Sequence, residues 1–118
     1  MSALKPVHLY FLITALAFSA CGKTDVPAGT PSCIKKKIRQ INNDPVRNPP
    51  AEVWRYDYKG QKVYYIPPYC CDMYGDLYDS KCNLICHPDG GLSGNGDGNC
   101  TDFFASRTNG KLIWQDNR

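Results

Sequence analysis

The sequence predicts a small α+β domain in which one N-terminal helix packs on an antiparallel sheet of four or five strands. Two patterns support this prediction: isoleucines recur at helical spacing after Ser32, and short β-rich stretches alternate with turn residues further along. The third observation is that seven of the 118 residues are cysteines. That content is typical of a small exported domain stapled by disulfides.

The helix is predicted to begin near Ser32. Thr30 or Ser32 can cap it, and Pro31 is tolerated in a first turn. Pro45 ends it, because proline cannot continue a helix. The side chains that form one apolar stripe are Ile34, Ile38 and Ile41.

The strands are predicted from β-rich stretches bounded by turns. Residues 53–58 alternate cleanly and form a hairpin with residues 62–66 across the turn Lys59-Gly60-Gln61. A short helix is predicted over residues 102–107. The remaining predicted strands are 76–79, 83–87 and, after a turn at Asn109-Gly110, 111–114.

The first twenty residues have the pattern of a secretory signal peptide. Lys5 is their only charge, and the apolar run 7–20 is shorter than the roughly 20 residues that a membrane-spanning helix needs. Residues 16–21, LAFSAC, resemble the lipobox of bacterial lipoproteins. In that class the cysteine is diacylated and becomes the mature N-terminus, which implies lipidation of Cys21. The alternative is a secreted protein cut nearby, with Cys21 in a disulfide.

The sequence divides into three parts. Residues 1–20 are the predicted signal peptide. Residues 21–32, CGKTDVPAGTPS, contain no hydrophobic pattern and are predicted to form a lipid-anchored tether. Residues 33–118 are long enough for a single domain.

Cysteine parity agrees with lipidation of Cys21. An odd thiol count is unusual in an exported chain, and removing Cys21 leaves an even number that can close three disulfides. Adjacent Cα atoms lie about 3.8 Å apart, whereas disulfides usually need about 4.4–6.8 Å, so each member of the adjacent pair is expected to bridge a distant cysteine. Because side chains alternate between the two faces of a strand, Cys82 and Cys86 are predicted to lie on the same side of the fourth strand. The six cysteines expected to form disulfides are Cys33, Cys70, Cys71, Cys82, Cys86 and Cys100.

The sequence contains no recognisable catalytic motif. His87 is the only histidine after the signal peptide, which argues against a zinc site and against Ser-His-Asp or Cys-His catalysis. The Cys-x-x-Cys spacing of thiol oxidoreductases is absent. We therefore expect no enzymatic activity, no cofactor and no metal, with His87 at a solvent-facing strand end.

Five aspartates and a glycine-rich loop raise the alternative of a calcium-dependent binding module. Residues 88–99 contain five glycines, and carboxylates with backbone carbonyls are the oxygen ligands that Ca²⁺ takes. The spacing does not match an EF-hand, and Asp, Asn and Gly also form ordinary turns. The aspartates concerned are Asp72, Asp76, Asp79, Asp89 and Asp97.

Both faces of the second predicted strand are apolar. Val63 and Tyr65 point to one face, and Tyr64 and Ile66 point to the other. If the helix covers only one face, Tyr64 and Ile66 form an exposed binding face of the kind that tyrosine favours in interfaces. The alternative is that loops cover this face.

The stretch VWRYDYKGQKVYYIPPYCCDMYGDLYD, followed by NLICHPDGG, GNGDGNCTDF and KLIWQDNR behind a lipobox, resembles an uncharacterised family of small bacterial envelope lipoproteins. The resemblance covers residues 33–118. It implies a compact exported domain and no particular activity.

We therefore expect a lipid-anchored binding or accessory domain of the bacterial cell envelope. Gly22 rather than Asp follows Cys21, which by analogy with lipoproteins indicates the outer membrane. The expected partners are the membrane, through the lipid, and a protein or other envelope component. The net charge of +3 does not indicate nucleic-acid binding. The main alternative is a surface-tethered hydrolase inhibitor that inserts the loop 88–99 into a cleft.

Overall fold

The computed structural model describes residues 25–118, so the predicted signal peptide, the lipidation site Cys21 and the start of the tether lie outside the described residues. The predicted α+β class is confirmed: a helix precedes a five-stranded antiparallel sheet. In chain order the elements are α1 (Ser32–Asn43), β1 (Glu52–Tyr58), β2 (Gln61–Ile66), β3 (Asp76–Asp79), β4 (Leu84–Cys86), α2 (Phe103–Ser106) and β5 (Thr108–Gln115).

The sheet has the spatial order β4-β3-β2-β1-β5, with every neighbouring pair antiparallel. The first four strands follow one another as a meander. The last strand returns to pair with β1 at the far edge. The chain between β4 and β5 must therefore cross the sheet, and it carries α2 with it.

Helix α1 covers one face of the sheet. Its isoleucine stripe is buried as predicted, and Ile34 and Ile38 pack in one cluster with Val53, Tyr64, Ile66 and Ile113. Tyr64 is only 2% exposed and Ile66 only 8%. The predicted binding face at Tyr64 and Ile66 is therefore wrong, because the helix needs this apolar surface to bury its own stripe.

The opposite face is covered by α2 and the segments beside it. Val63, Tyr65 and Leu77 pack there around Phe103, which is fully buried. The rings within aromatic contact of Phe103 are Tyr56, Tyr58, Tyr65 and Phe104. Both faces of the central strand β2 are thus occupied by the protein itself.

Two disulfides reinforce the two faces. Cys33–Cys82 joins α1 to the turn between β3 and β4, and Cys86–Cys100 joins β4 to the segment before α2. The expectation that Cys82 and Cys86 share one side is wrong, since they belong to different clusters. Cys82 lies in the turn with a positive φ of 60°, so strand parity does not extend to it.

The hairpin between β1 and β2 is confirmed. Its two central residues, Lys59 and Gly60, have φ values of 49° and 76°, as a two-residue type I′ turn requires. The predicted turn at Asn109-Gly110 is wrong, because both residues lie within β5 at an irregularity of its pairing with β1. Asn109 Nδ2 donates a 2.7 Å hydrogen bond to Asp57 Oδ2 across this irregularity.

The described part of the predicted tether is held against the domain. Val26 packs on the α1 cluster, and Thr30 is buried with its hydroxyl donating to Pro27 O at 2.7 Å. Within residues 25–118, no helix is both long enough and apolar enough to span a bilayer.

Candidate functional site

The most exposed large apolar side chain of the described residues belongs to the loop of residues 88–99. We call this segment the Leu92 loop, because Leu92 is 93% exposed at its surface. The next most exposed large apolar side chain, Met73, is 50% exposed. A leucine presented in this way contributes nothing to the core and is available to a partner.

The base of the Leu92 loop is closed by a disulfide and by one carboxylate. The Cys86–Cys100 bridge joins the two ends of the segment. Asp97 accepts hydrogen bonds of 3.0 Å from the backbone N–H groups of His87 and Asn99. These donors, Asn99 first, lower the pKa of Asp97 below its usual value, so its carboxylate stays charged and keeps the loop closed.

The loop is also attached to the connection between β2 and β3. The backbone N–H of Gly91 donates to Met73 O, and that of Gly75 donates to Asp89 O, both at 3.1 Å. Gly96 has a positive φ of 73° and lies so close to the backbone of His87 that a side chain there would collide with it. The Leu92 loop is therefore held in place by backbone contacts with the β2–β3 connection and with His87.

A depression of ≈ 480 Å³ lies beside the loop. Asp89 and Asn95 form the loop side, and Phe104 of α2, which is 42% exposed, forms part of the other side. The projecting Leu92 and this neighbouring depression together make an uneven surface of the kind that protein partners recognise by shape.

A second concave surface lies between α1 and β3, with a volume of ≈ 230 Å³. Lys37 Nζ lies 4.2 Å from the ring centroid of Tyr78, and the Arg47 guanidinium lies 4.8 Å from that of Tyr69. Both cations are thus held against aromatic faces at the edge of this groove. The groove is small, open and mixed in charge.

His87 is not the solvent-facing strand end that the sequence predicts. Its ring stacks on Tyr74 with 4.6 Å between centroids, and its Nδ1 lies 2.9 Å from Asp76 Oδ1. In residues 25–118 no hydroxyl or thiol is hydrogen-bonded to this ring. The stacking on Tyr74 and the contact with Asp76 hold His87 at the start of the Leu92 loop.

The five aspartates of the calcium hypothesis do not converge. The described residues contain no group of three or more potential metal-ligating side chains. Asp79 accepts from backbone N–H groups in the turn after β3, and Asp89 accepts from the Tyr65 hydroxyl. Asp76, Asp89 and Asp97 thus contact different groups of the protein, namely the His87 ring, the Tyr65 hydroxyl and the backbone N–H groups of His87 and Asn99.

Cys70 and Cys71 do not form the long-range disulfides that the sequence predicts for them. Both are exposed and unbridged, and their Sγ atoms lie 2.7 Å apart. The other four domain cysteines bridge one another, which leaves each of this pair only its neighbour within the described chain. The Cys71 thiol, desolvation and the Asp72 carboxylate raise the pKa of Cys70.

The sequence did not single out Leu92 as a functional residue. Its signal was present, since Leu92 is the only large apolar residue of the loop. Whether such a residue points into the core or away from it depends on the path of the loop over the sheet. Residue order along the chain does not specify that path.

These features define a class of protein: a small α+β domain, stapled by disulfides, that presents a preformed loop. The chain belongs to the family DUF6970, described as a domain of unknown function, whose model matches residues 39–116. The match runs from within α1 to just beyond β5. A search of curated proteins and a search of solved structures found no match.

Proposed function

We propose that this protein is a lipid-anchored binding domain of the bacterial cell envelope that recognises a protein partner through the Leu92 loop. The observation that carries the proposal is the 93% exposure of Leu92 in a loop closed by Cys86–Cys100. A preformed loop binds with little further loss of conformational entropy, so its exposed apolar side chain contributes more fully to affinity.

The anchoring part of the proposal rests on the sequence of residues 1–21. The signal-peptide pattern and the resemblance to a lipobox support diacylation of Cys21. Cys21→Ala should release the protein from the membrane fraction while the domain folds as before, because residues 25–118 contain the core and both disulfides. Recovery of this variant in the membrane fraction would contradict lipid anchoring.

The recognition part is tested with a photo-crosslinking amino acid at position 92 in envelope-bound protein. We expect a discrete crosslinked product that is absent when the same group stands at Lys36, on the exposed side of α1. Leu92→Asp should abolish binding of the partner identified in this way, and Ser93→Asp is the matched exposed control. Equal products from positions 92 and 36, or unchanged binding by Leu92→Asp, would contradict recognition by the loop.

A second candidate function is inhibition of an envelope hydrolase. The same observation favours it, since inhibitors of hydrolases present rigid exposed loops to clefts. This alternative requires that the purified protein reduces the activity of the crosslinked partner. Leu92→Asp should relieve the inhibition and Ser93→Asp should not, whereas a binding domain leaves the partner's activity unchanged.

A further inference from the structure

The connection between β2 and β3 holds two adjacent cysteines in a tight turn. The Met73 N–H donates to Cys70 O at 3.0 Å, which closes a four-residue turn. Cys71, its second residue, has a φ of 58°. This position and this φ favour glycine, so a cysteine there carries local backbone strain. Backbone strain of this kind clusters at functional sites.

The two thiols face each other and face solvent. Their Sγ atoms are 2.7 Å apart, and both residues are exposed. Within residues 25–118 the remaining cysteines are consumed by Cys33–Cys82 and Cys86–Cys100. Each thiol of the pair therefore has its neighbour as its nearest reaction partner and is open to reagents from solution.

A bridge between adjacent residues differs in chemistry from the two long-range bridges. Consecutive Cα atoms lie about 3.8 Å apart, which is shorter than the roughly 4.4–6.8 Å of ordinary disulfides. Such a constrained and exposed bridge is reduced more easily than a structural one. A Cys70–Cys71 bridge would therefore open under conditions that leave Cys33–Cys82 and Cys86–Cys100 closed.

We propose that Cys70 and Cys71 form a site of thiol–disulfide exchange that reacts with small disulfide compounds and their thiols. In the oxidising direction, one cysteine thiolate attacks a sulfur of the disulfide R–S–S–R. A mixed disulfide forms, and the first R–S⁻ leaves. The neighbouring thiolate attacks the protein sulfur of that mixed disulfide, closes the Cys70–Cys71 bond and expels the second R–S⁻.

The two electrons and two protons of the protein dithiol end on the compound as two R–SH molecules. Reduction of the bridge is the reverse sequence. The pair lies between Tyr69 and Met73, both of which line the groove between α1 and β3. This site is separate from the Leu92 loop, and neither proposal depends on the other.

The test uses the full chain in buffers that contain reduced and oxidised glutathione at graded ratios. After equilibration, acid quenching and alkylation, peptide mass mapping reports each cysteine. We expect an intramolecular Cys70–Cys71 bridge in oxidising mixtures. We also expect this bridge to open at a reductant concentration at least about tenfold lower than either structural bridge needs.

Single substitutions test the two-step sequence. In Cys70→Ser and in Cys71→Ser the first step remains and the second is removed, so the remaining cysteine should accumulate a mixed disulfide with glutathione. The double variant Cys70→Ser/Cys71→Ser is the matched control. It should keep Cys33–Cys82 and Cys86–Cys100, show an unchanged circular dichroism spectrum, and take up no glutathione.

Three results would overturn the proposal. The first is that both thiols stay open to alkylation at every ratio while the fold is intact. The second is that the pair is reduced together with the structural bridges, or links two chains instead of closing within one. The third is that neither single variant traps glutathione.

Discussion

The Tyr65 hydroxyl donates a 2.6 Å hydrogen bond to Asp89 Oδ2, and this bond joins the centre of the sheet to the start of the Leu92 loop. Burial of the phenol, followed by its hydrogen bond to Asp89, raises the pKa of Tyr65, so the hydroxyl remains a donor. Asp89 Oδ1 is buried and has no hydrogen-bond partner in the described chain. The carboxylate therefore depends on Tyr65.

Tyr65→Phe should destabilise the domain by about 1–3 kcal/mol, because it removes the hydrogen bond to Asp89 Oδ2 and leaves the carboxylate, whose Oδ1 is already buried without a partner, with no side-chain donor. Denaturant unfolding gives the change, and faster amide exchange of residues 88–99 locates it. Tyr58→Phe is the matched control. It also removes a phenol–carboxylate bond, but to Asp102, whose side chain is 48% exposed and can be solvated. An equal loss in the two variants would contradict the argument.

Because Asp116 forms an ion pair with Arg118, we expect the domain to lose stability in acid. Asp116 is buried, and its hydrogen bonds with Arg118 lower its pKa below the usual 3.8. A lowered pKa stabilises the folded state at pH values above the ordinary pKa. That stability is lost as the pH falls below about 4 and through the folded-state pKa. The urea midpoint should therefore fall over this range.

Asp116→Asn should flatten this pH dependence. Arg118 also donates to the carbonyls of Ile41 and Asn42 at the end of α1, so Arg118→Ala should loosen that helix end as well. The double variant Asp116→Asn/Arg118→Ala should reduce the pH dependence of the urea midpoint by no more than either single variant does. An unchanged slope in Asp116→Asn would show that other carboxylates produce the acid response.

Phe103 and Phe104 are adjacent rings with different roles. Phe103 is fully buried among aromatic side chains, whereas Phe104 is 42% exposed. Phe103→Ala should cost about 3–5 kcal/mol through lost burial and the cavity that it leaves. Phe104→Ala should cost much less in thermal or denaturant unfolding. Similar costs would mean that α2 does not pack as described.

The two disulfides should differ in their contributions to stability. Cys33–Cys82 closes a separation of 49 residues, and Cys86–Cys100 closes one of 14. A disulfide lowers the chain entropy of the unfolded state, and more so when it closes a longer loop. Replacing both cysteines by serine should therefore lower the free energy of unfolding by about 4 kcal/mol for Cys33–Cys82 and by about 3 kcal/mol for Cys86–Cys100. Urea unfolding measures each loss. Full stability of the Cys33→Ser/Cys82→Ser variant would contradict the role of this bridge in holding α1.

Calcium should leave the melting temperature unchanged. The oxygens of Asp97 are engaged by the backbone N–H groups of His87 and Asn99, and this arrangement orders the loop without an ion. Asp97→Ala should lower the melting temperature equally with and without calcium. A rise with added calcium that disappears in Asp97→Ala would make the loop a metal site.

Local sequence patterns predicted the helices, strands and turns correctly where a pattern is compatible with only one structure. Helical spacing placed Ile34, Ile38 and Ile41 on the buried side of α1. The turn residues Lys59-Gly60-Gln61 between two β-rich stretches predicted the hairpin, whose turn residues are Lys59 and Gly60. The pattern failed at Asn109-Gly110. There the irregular pairing of β5 with β1 absorbed residues that would otherwise form a turn.

The surface was less predictable than the elements. The alternation of side chains along β2 correctly placed Tyr64 and Ile66 on one face and Val63 and Tyr65 on the other. It could not show that other parts of the protein cover both faces. That depends on where the connection from β4 to β5 crosses the sheet. The same crossing brings Cys100 to Cys86 and leaves Leu92 outside.

The class of fold, the apolar stripe of α1 and the alternation that gives the sheet two apolar faces could be read from residue order, because they depend on neighbours within a few residues. Which cysteines meet, which aromatic side chains are covered and which loop side chain remains in solvent became visible in the folded chain. Those outcomes depend on contacts between residues far apart in the chain. Cys33 forms a disulfide with Cys82, 49 positions away. Cys70 and Cys71 have no distant partner within residues 25–118, because the other four cysteines there bridge one another.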